Sequence, residues 1–142
     1  EALVKAGAVV SVDTMHVDTA RAAIAAGAHL INDVSGLTYE AGMPELIAQT
    51  GVPYVLMHRR GTAQNMVTKA DYQDAAAEVL AELRALRDDF VARGVAPEQI
   101  ILDPGLGFAK DAAHNWALLK NLKAFEDLDI VRGISLTLGR CT

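Results

Sequence analysis

Four short apolar segments, each followed by a polar residue, constrain the fold of this chain most. They cover residues 9–12, 29–31, 54–57 and 100–102, and the polar residues after them are Asp13, Asn32, His58 and Asp103. Helical patterns separate the segments, which is typical of consecutive βα units and predicts a parallel α/β sheet. Because the carboxyl ends of parallel strands lie at one edge of a sheet, we expect a binding site along that edge.

Four stretches have helical patterns, at residues 18–26, 44–49, 71–93 and about 111–122. The third is the longest, and its apolar residues recur at steps of three and four. Thr68 and Asp71 have the spacing of a capping box at its start, and Gly94 is placed to end it in a left-handed conformation. In the fourth stretch we expect one apolar stripe, formed by Trp116, Leu119 and Leu122.

Composition favours one globular domain. The chain has 142 residues, of which 51% are hydrophobic, so it is long enough to bury a core. Its net charge of −5, with scattered basic residues, argues against nucleic acid as a partner. Cys141 is the only cysteine, which fits a reducing cytoplasm. No apolar run approaches membrane-spanning length, so no membrane partner is expected.

Asp13 and Asp103 are the leading candidates for chemistry, because both follow predicted strands. Two carboxylates at a sheet edge can bind a guanidine-like group or stabilise a developing cation. Either Asp alone is better explained as a loop cap, but four polar strand ends together favour a functional role. Asn32 offers a donor and an acceptor to a heterocycle, or acts as a turn former. Asp33 is interpreted as structural.

Met57 and Phe108 are placed to form an apolar wall for a flat ligand. Lys110 is interpreted as a solvated residue, with an anion contact as the alternative. His58 is expected to be a hydrogen-bonded structural residue rather than a base, and His114 is expected to act locally at a helix start.

Other motifs are less specific. The basic loop Arg-Arg-Gly-Thr at residues 59–62 fits a phosphate contact or a solvated surface equally well. No two histidines have metal-ligand spacing, and no complete G-x-G-x-x-G follows a strand.

Taken together, four motifs resemble the dihydropteroate synthases of the pterin-binding family. They are Ser-Val-Asp-Thr at 11–14, Ile-Asn-Asp-Val-Ser-Gly at 31–36, Val-Leu-Met-His at 55–58 with Gly-Thr at 61–62, and Ile-Leu-Asp-Pro-Gly-Leu-Gly-Phe-Ala-Lys at 101–110 followed by His-Asn at 114–115. The resemblance covers about residues 9–130. It implies an eight-stranded (β/α) TIM barrel, of which residues 1–142 form an internal part, roughly strands three to six.

The resemblance also implies an activity. Members of the family join 6-hydroxymethyl-7,8-dihydropterin diphosphate to 4-aminobenzoate, use Mg²⁺, act as homodimers and are sulfonamide targets. By this resemblance, Asn32 and Asp103 would hydrogen-bond the amino-pyrimidine edge of the pterin. Asp13 would favour the cationic methylene as diphosphate departs. Met57 would pack on the pterin, and Phe108 would lie near the aminobenzoate.

The chain also departs from the family pattern. The early Asn that helps to bind magnesium is missing, so no metal ligand is expected here. Residues 133–137 read Gly-Ile-Ser-Leu-Thr where the family has Gly-x-Ser-Arg-Lys, and we expect an atypical tail over 131–142. We therefore expect at most weak pterin binding and no turnover from these 142 residues. The alternatives are a pterin-binding methyltransferase, a non-catalytic truncated paralogue and an unrelated barrel lyase or isomerase.

Overall fold

The computed structural model describes residues 1–126, which form a four-stranded sheet covered by helices. The strands are β1 (Ser11–Asp13), β2 (Leu30–Asp33), β3 (Tyr54–Met57) and β4 (Ile100–Asp103). They lie in the order β1-β2-β3-β4, and each is parallel to its neighbour. This confirms the predicted succession of βα units. The expected atypical tail, 131–142, lies outside the described residues.

Six α-helices accompany the strands within residues 1–126. They are α1 (Ala2–Lys5), α2 (Val17–Ala25), α3 (Met43–Thr50), α4 (Ala75–Ala92), α5 (Ala112–Lys120) and α6 (Lys123–Glu126). Helix α3 ends at Gly51, whose φ is +71°, and Gly94, just after α4, has the expected left-handed φ of +94°. None of the helices in this part of the chain is long and apolar enough to cross a lipid bilayer.

The predicted capping box of α4 is wrong. The helix begins after Asp74, whose carboxylate accepts a hydrogen bond from the Ala77 backbone N–H at 3.0 Å. The Glu78 carboxylate in turn accepts from the Asp74 N–H at 3.0 Å, so these two residues cap the helix. Thr68 belongs to a short 3₁₀ turn, and the Asp71 carbonyl accepts from a side chain instead of entering the helix.

The predicted stripe on α5 is also wrong. Trp116 is 64% exposed, whereas Leu118 is fully buried. Leu119 and Leu122 are half-buried. The buried face of the helix is therefore the one that carries Leu118, which belongs to the hydrophobic core.

The two faces of the sheet carry different side chains. Successive side chains of a strand lie on opposite faces, and register partners on parallel strands share a face. The side chains on one face pack into the core beneath the helices, and they are Ile31, Tyr54, Leu56, Ile100 and Leu102. The side chains on the opposite face include Asp13, Asn32, Val55, Met57 and Asp103. Every strand residue proposed for binding therefore lies on the face turned away from the helical core.

Candidate ligand-binding site

Asp13 and Asn32 form the accessible part of the site. They are register partners on β1 and β2, and the Asn32 Nδ2 donates to the Asp13 carboxylate at 2.8 Å. Asp13 is exposed and Asn32 is half-buried. The hydrogen bond orients the carboxylate, while the Asn32 carbonyl oxygen stays available as an acceptor.

Asp103 and Met57 form the buried part of the same face. They are register partners at the ends of β4 and β3, and both side chains have 0% exposed surface. The Asp103 carboxylate accepts from the Gly105 backbone N–H at 2.7 Å, which holds the start of the loop after β4. Since both side chains are closed to solvent, a ligand reaches them only after the surrounding atoms have moved. The free-energy cost of that movement lowers the affinity for the ligand.

The loop after β4, residues 104–110, depends on a glycine. Gly105 has φ +65°, and a Cβ at this position would lie 2.1 Å from the His58 carbonyl oxygen. Only glycine allows the loop to approach the end of β3 so closely. Phe108, half-buried in this loop, donates its backbone N–H to the Gly105 carbonyl at 3.1 Å.

Lys110 attaches this loop to β3, so the expectation that it is solvated is wrong. The residue is 8% exposed. Its Nζ lies 2.9 Å from His58 Nδ1, and it donates to the carbonyls of Gly105 at 3.0 Å and Phe108 at 2.9 Å. Burial lowers the pKa of Lys110 to about 7, although Asp103 and Glu82 oppose the shift. The sequence shows the lysine but not the acceptors that the folded loop gathers around it.

His58 is a structural residue, as its sequence context indicated. It is fully buried, and burial is the main cause that lowers its pKa. When Lys110 is an ammonium group it only donates, so His58 Nδ1 accepts and the ring proton lies on Nε2. Nε2 then donates to the Glu82 carboxylate at 2.8 Å. With both ring nitrogens engaged, His58 is unsuited to act as a base.

Glu82 and Arg60 complete this network, and the sequence alone did not identify Glu82. Arg60 pairs with Glu82 and, at 2.8 Å, with Glu78, and its guanidinium lies 4.0 Å from the centre of the Tyr72 ring. Arg60 is therefore engaged in ion pairs within the protein, which is neither of the two roles considered for the basic loop. Burial raises the pKa of Glu82, but hydrogen bonds from His58 and Arg60 outweigh it and lower the pKa to about 2.

We expect Glu82→Gln to destabilise the fold by about 3 kcal/mol above pH 5, with a difference from the parent chain that shrinks as pH falls. The folded-state pKa of Glu82 lies below its ordinary value, so its stabilisation is present above pH 4.5 and is lost toward about pH 2. Urea unfolding followed by circular dichroism between pH 3 and 7 measures this. Glu98→Gln, at an exposed position, is the control. A pH-independent difference would show that the charge of Glu82 is not the cause.

The remaining candidates have local roles. Asp33 is 1% exposed and accepts from the Ser35 N–H and the Tyr54 hydroxyl, both at 2.7 Å, so it is structural as predicted. His114 forms a reciprocal cap with Asp111 at the start of α5. Among residues 1–126 no three His, Cys, Asp or Glu side chains are grouped to hold a metal ion.

A parallel βα array with carboxylate and amide side chains at the carboxyl ends of adjacent strands is the arrangement of an α/β-barrel protein. The family of pterin binding enzymes matches residues 1–140. The chain belongs to this family.

Similar proteins agree with this assignment. Dihydropteroate synthase of Mycobacterium leprae is 45% identical over 134 residues, which is 94% of this chain and 46% of that protein. The Escherichia coli enzyme is 38% identical, over 85% of this chain and 43% of the enzyme. The chain thus spans about half the length of the curated relatives it matches.

Solved structures show the same fold. Thermus thermophilus dihydropteroate synthase in complex with 6HMPPP superposes with a TM-score of 0.84 at 41% identity, covering 91% of this chain and 51% of that one. The same enzyme in complex with 4-aminobenzoate gives a TM-score of 0.83. The four described strands are therefore part of a TIM barrel, as expected. These relatives favour the synthase over the methyltransferase alternative.

Proposed function

We propose that this chain carries the pterin-binding wall of a dihydropteroate synthase. The whole protein would join 6-hydroxymethyl-7,8-dihydropterin diphosphate to 4-aminobenzoate in folate biosynthesis. The observation that carries the proposal is the placement of Asp13, Asn32 and Asp103 on one sheet face, at the carboxyl ends of their strands. The relatives solved with 6HMPPP and with 4-aminobenzoate support the choice of substrates.

Each polar residue has a chemical part in this proposal. The Asp103 carboxylate accepts from the amino-pyrimidine edge of the pterin, and the Asn32 amide pairs with the same edge. The methylene–oxygen bond to diphosphate breaks, and the exposed Asp13 carboxylate stabilises the resulting cationic methylene. The aminobenzoate nitrogen then bonds to the methylene and loses a proton. Asn32 holds the Asp13 carboxylate in place throughout, through the 2.8 Å hydrogen bond.

The apolar residues have less direct parts. Met57 packs against the pterin, and Phe108 lies on the aminobenzoate side. Because Met57 and Asp103 are fully buried here, the loop above them must shift to admit the ligand. This supports weak binding by the 142 residues alone.

The metal requirement, the oligomeric state and the cellular location are proposed for the whole protein. The residues described here do not fit a Mg²⁺ site, so we derive no catalytic step through the metal. A homodimer and a cytoplasmic location are proposed from the family resemblance, and the single cysteine is consistent with a reducing compartment.

Calorimetric titration of a non-reactive pterin into the purified chain tests the proposal. We expect a dissociation constant of about 0.1–1 mM, because the pocket is only partly formed. We also expect no dihydropteroate when both substrates and magnesium are supplied. Absence of binding by a folded chain would refute the pterin wall, and clear turnover would refute the expected inactivity.

A further inference from the structure

A cavity lies beside the proposed pterin wall, between the segments that follow β1, β2 and β3. It has a volume of about 460 Å³. The residues that shape it include Met15, His16, Ser35, Thr38, Arg59 and Thr62. None of them belongs to the set assigned to the pterin above, so this cavity needs its own explanation.

Arg59 is a buried cation on the wall of this cavity. Only 5% of the surface of Arg59 is exposed. Its Nε donates to the Gly61 carbonyl at 3.2 Å, and its Nη2 lies 3.8 Å from the Met15 sulfur, so both partners are neutral. A guanidinium has five N–H donors, and three are left without a partner among residues 1–126. A buried cation with open donors and only neutral partners favours an anion.

Ser35 is an independent observation in the same cavity. It is 3% exposed, and its hydroxyl has no hydrogen-bond partner among the described residues. Buried hydroxyl groups normally have a partner, so an unpartnered one next to a cavity indicates a missing ligand.

Two contacts join the backbone segments that carry Ser35 and Arg59. Gly36 has φ +60°, and a Cβ there would lie 2.5 Å from the Arg59 backbone nitrogen. The Leu37 N–H also donates to the Arg59 carbonyl at 3.2 Å. The segments that carry Ser35 and Arg59 are therefore in direct contact.

The nearby carboxylates are already engaged. Glu40, on the cavity wall, accepts from the Val17 N–H at 2.5 Å and so caps the start of α2. Asp33 accepts from the Ser35 N–H and the Tyr54 hydroxyl, and it acts on Arg59 only through its charge. Neither forms an ion pair with the Arg59 guanidinium within the described part of the chain.

We propose that this cavity binds a small oxyanion, a carboxylate or a phosphate group. The anion accepts from the open N–H groups of Arg59 in a bidentate arrangement and from the Ser35 hydroxyl. Thr62 also lines the cavity, whereas the Thr38 hydroxyl already donates to the Ser35 carbonyl at 2.8 Å. The proposal does not depend on the pterin chemistry, because it uses neither Asp13 nor Asp103.

The test uses the ¹⁵N-labelled chain and the NMR signal of the Arg59 Nε–H group. Sodium phosphate is titrated at constant ionic strength, and sodium acetate in a second series shows which kind of oxyanion the cavity prefers. We expect a saturable shift of the Arg59 signal, affinity at least about tenfold lower in Arg59→Gln, and a several-fold reduction in Ser35→Ala. Arg21→Gln, which removes one exposed cation from α2, should leave the affinity unchanged.

Two outcomes would overturn the proposal. One is the absence of a saturable shift in the folded chain up to about 50 mM of either anion, since millimolar affinity is the weakest that the proposal allows. The other is an equal loss of affinity in Arg21→Gln, which would mean a general charge effect. If Arg59→Gln does not fold, the test rests on the affinity measured for Ser35→Ala and on the shift of the Arg59 signal in the parent chain. Pterin titration of Ser35→Ala is expected to match the parent, which separates this cavity from the pterin wall.

Discussion

Pterin affinity is expected to fall at least about tenfold when Asp103 is replaced by Asn, with little change in fold. The substitution removes the carboxylate charge but keeps a side-chain oxygen that can accept from the Gly105 N–H, as Asp103 does at 2.7 Å. The loop start therefore keeps its hydrogen bond, while the ligand loses a charge-assisted one. Calorimetric titration of the same non-reactive pterin into both chains measures the effect.

Asp111→Asn is the matched control for this experiment. It also removes one carboxylate, and Asn serves as well as Asp at the N-cap position that residue 111 occupies on α5. Pterin affinity should be the same as in the parent chain. Equal affinity in the Asp103 variant and the parent would show that Asp103 is not part of the binding wall.

Gly105→Ala is expected to have the largest effect on stability, with a loss of roughly 3–4 kcal/mol. The new Cβ would lie 2.1 Å from the His58 carbonyl, and the residue would keep a left-handed φ of +65°. The loop must therefore move away from the end of β3, which also breaks the contact between Lys110 Nζ and His58 Nδ1 at 2.9 Å. Urea unfolding at neutral pH gives the change in free energy of unfolding.

Gly51→Ala is the control that separates the effect of the close contact with His58 from the effect of the left-handed backbone conformation. Gly51 has a similar φ of +71°, but no atom lies within 4 Å of the added Cβ, so we expect a loss of about 1 kcal/mol. If the two variants lost equal stability, the close approach of the loop to His58 would not be the cause.

The sheet was predictable because its strands are short apolar runs with clear ends. Residues 54–57 and 100–103 match β3 and β4, with Asp103 included in the strand. The first run was placed less well, since Val9 is 84% exposed and β1 begins only at Ser11. An apolar residue at the start of a run does not show whether a neighbouring strand is present to pair with it.

The site was predictable where it depends on topology and unpredictable where it depends on side-chain contacts. Asp13 and Asn32 follow adjacent parallel strands, so their proximity was inferred from chain order, and the structure brings them together. Lys110 was misjudged and Glu82 was missed. Their partner, His58, is 52 residues from Lys110 and 24 from Glu82 along the chain, and no local pattern reports such contacts.

The strand order β1-β2-β3-β4 has a consequence for how this chain is made. Within the described residues, β2, β3 and β4 each pair with the strand synthesised just before them, so each leaves the ribosome when a partner is already present. Pairing between consecutive strands closes shorter loops than pairing between more distant strands would, which keeps the loop-closure cost low. Folding of this segment can therefore proceed from the amino end during translation, one βα unit at a time, without waiting for distant parts of the polypeptide.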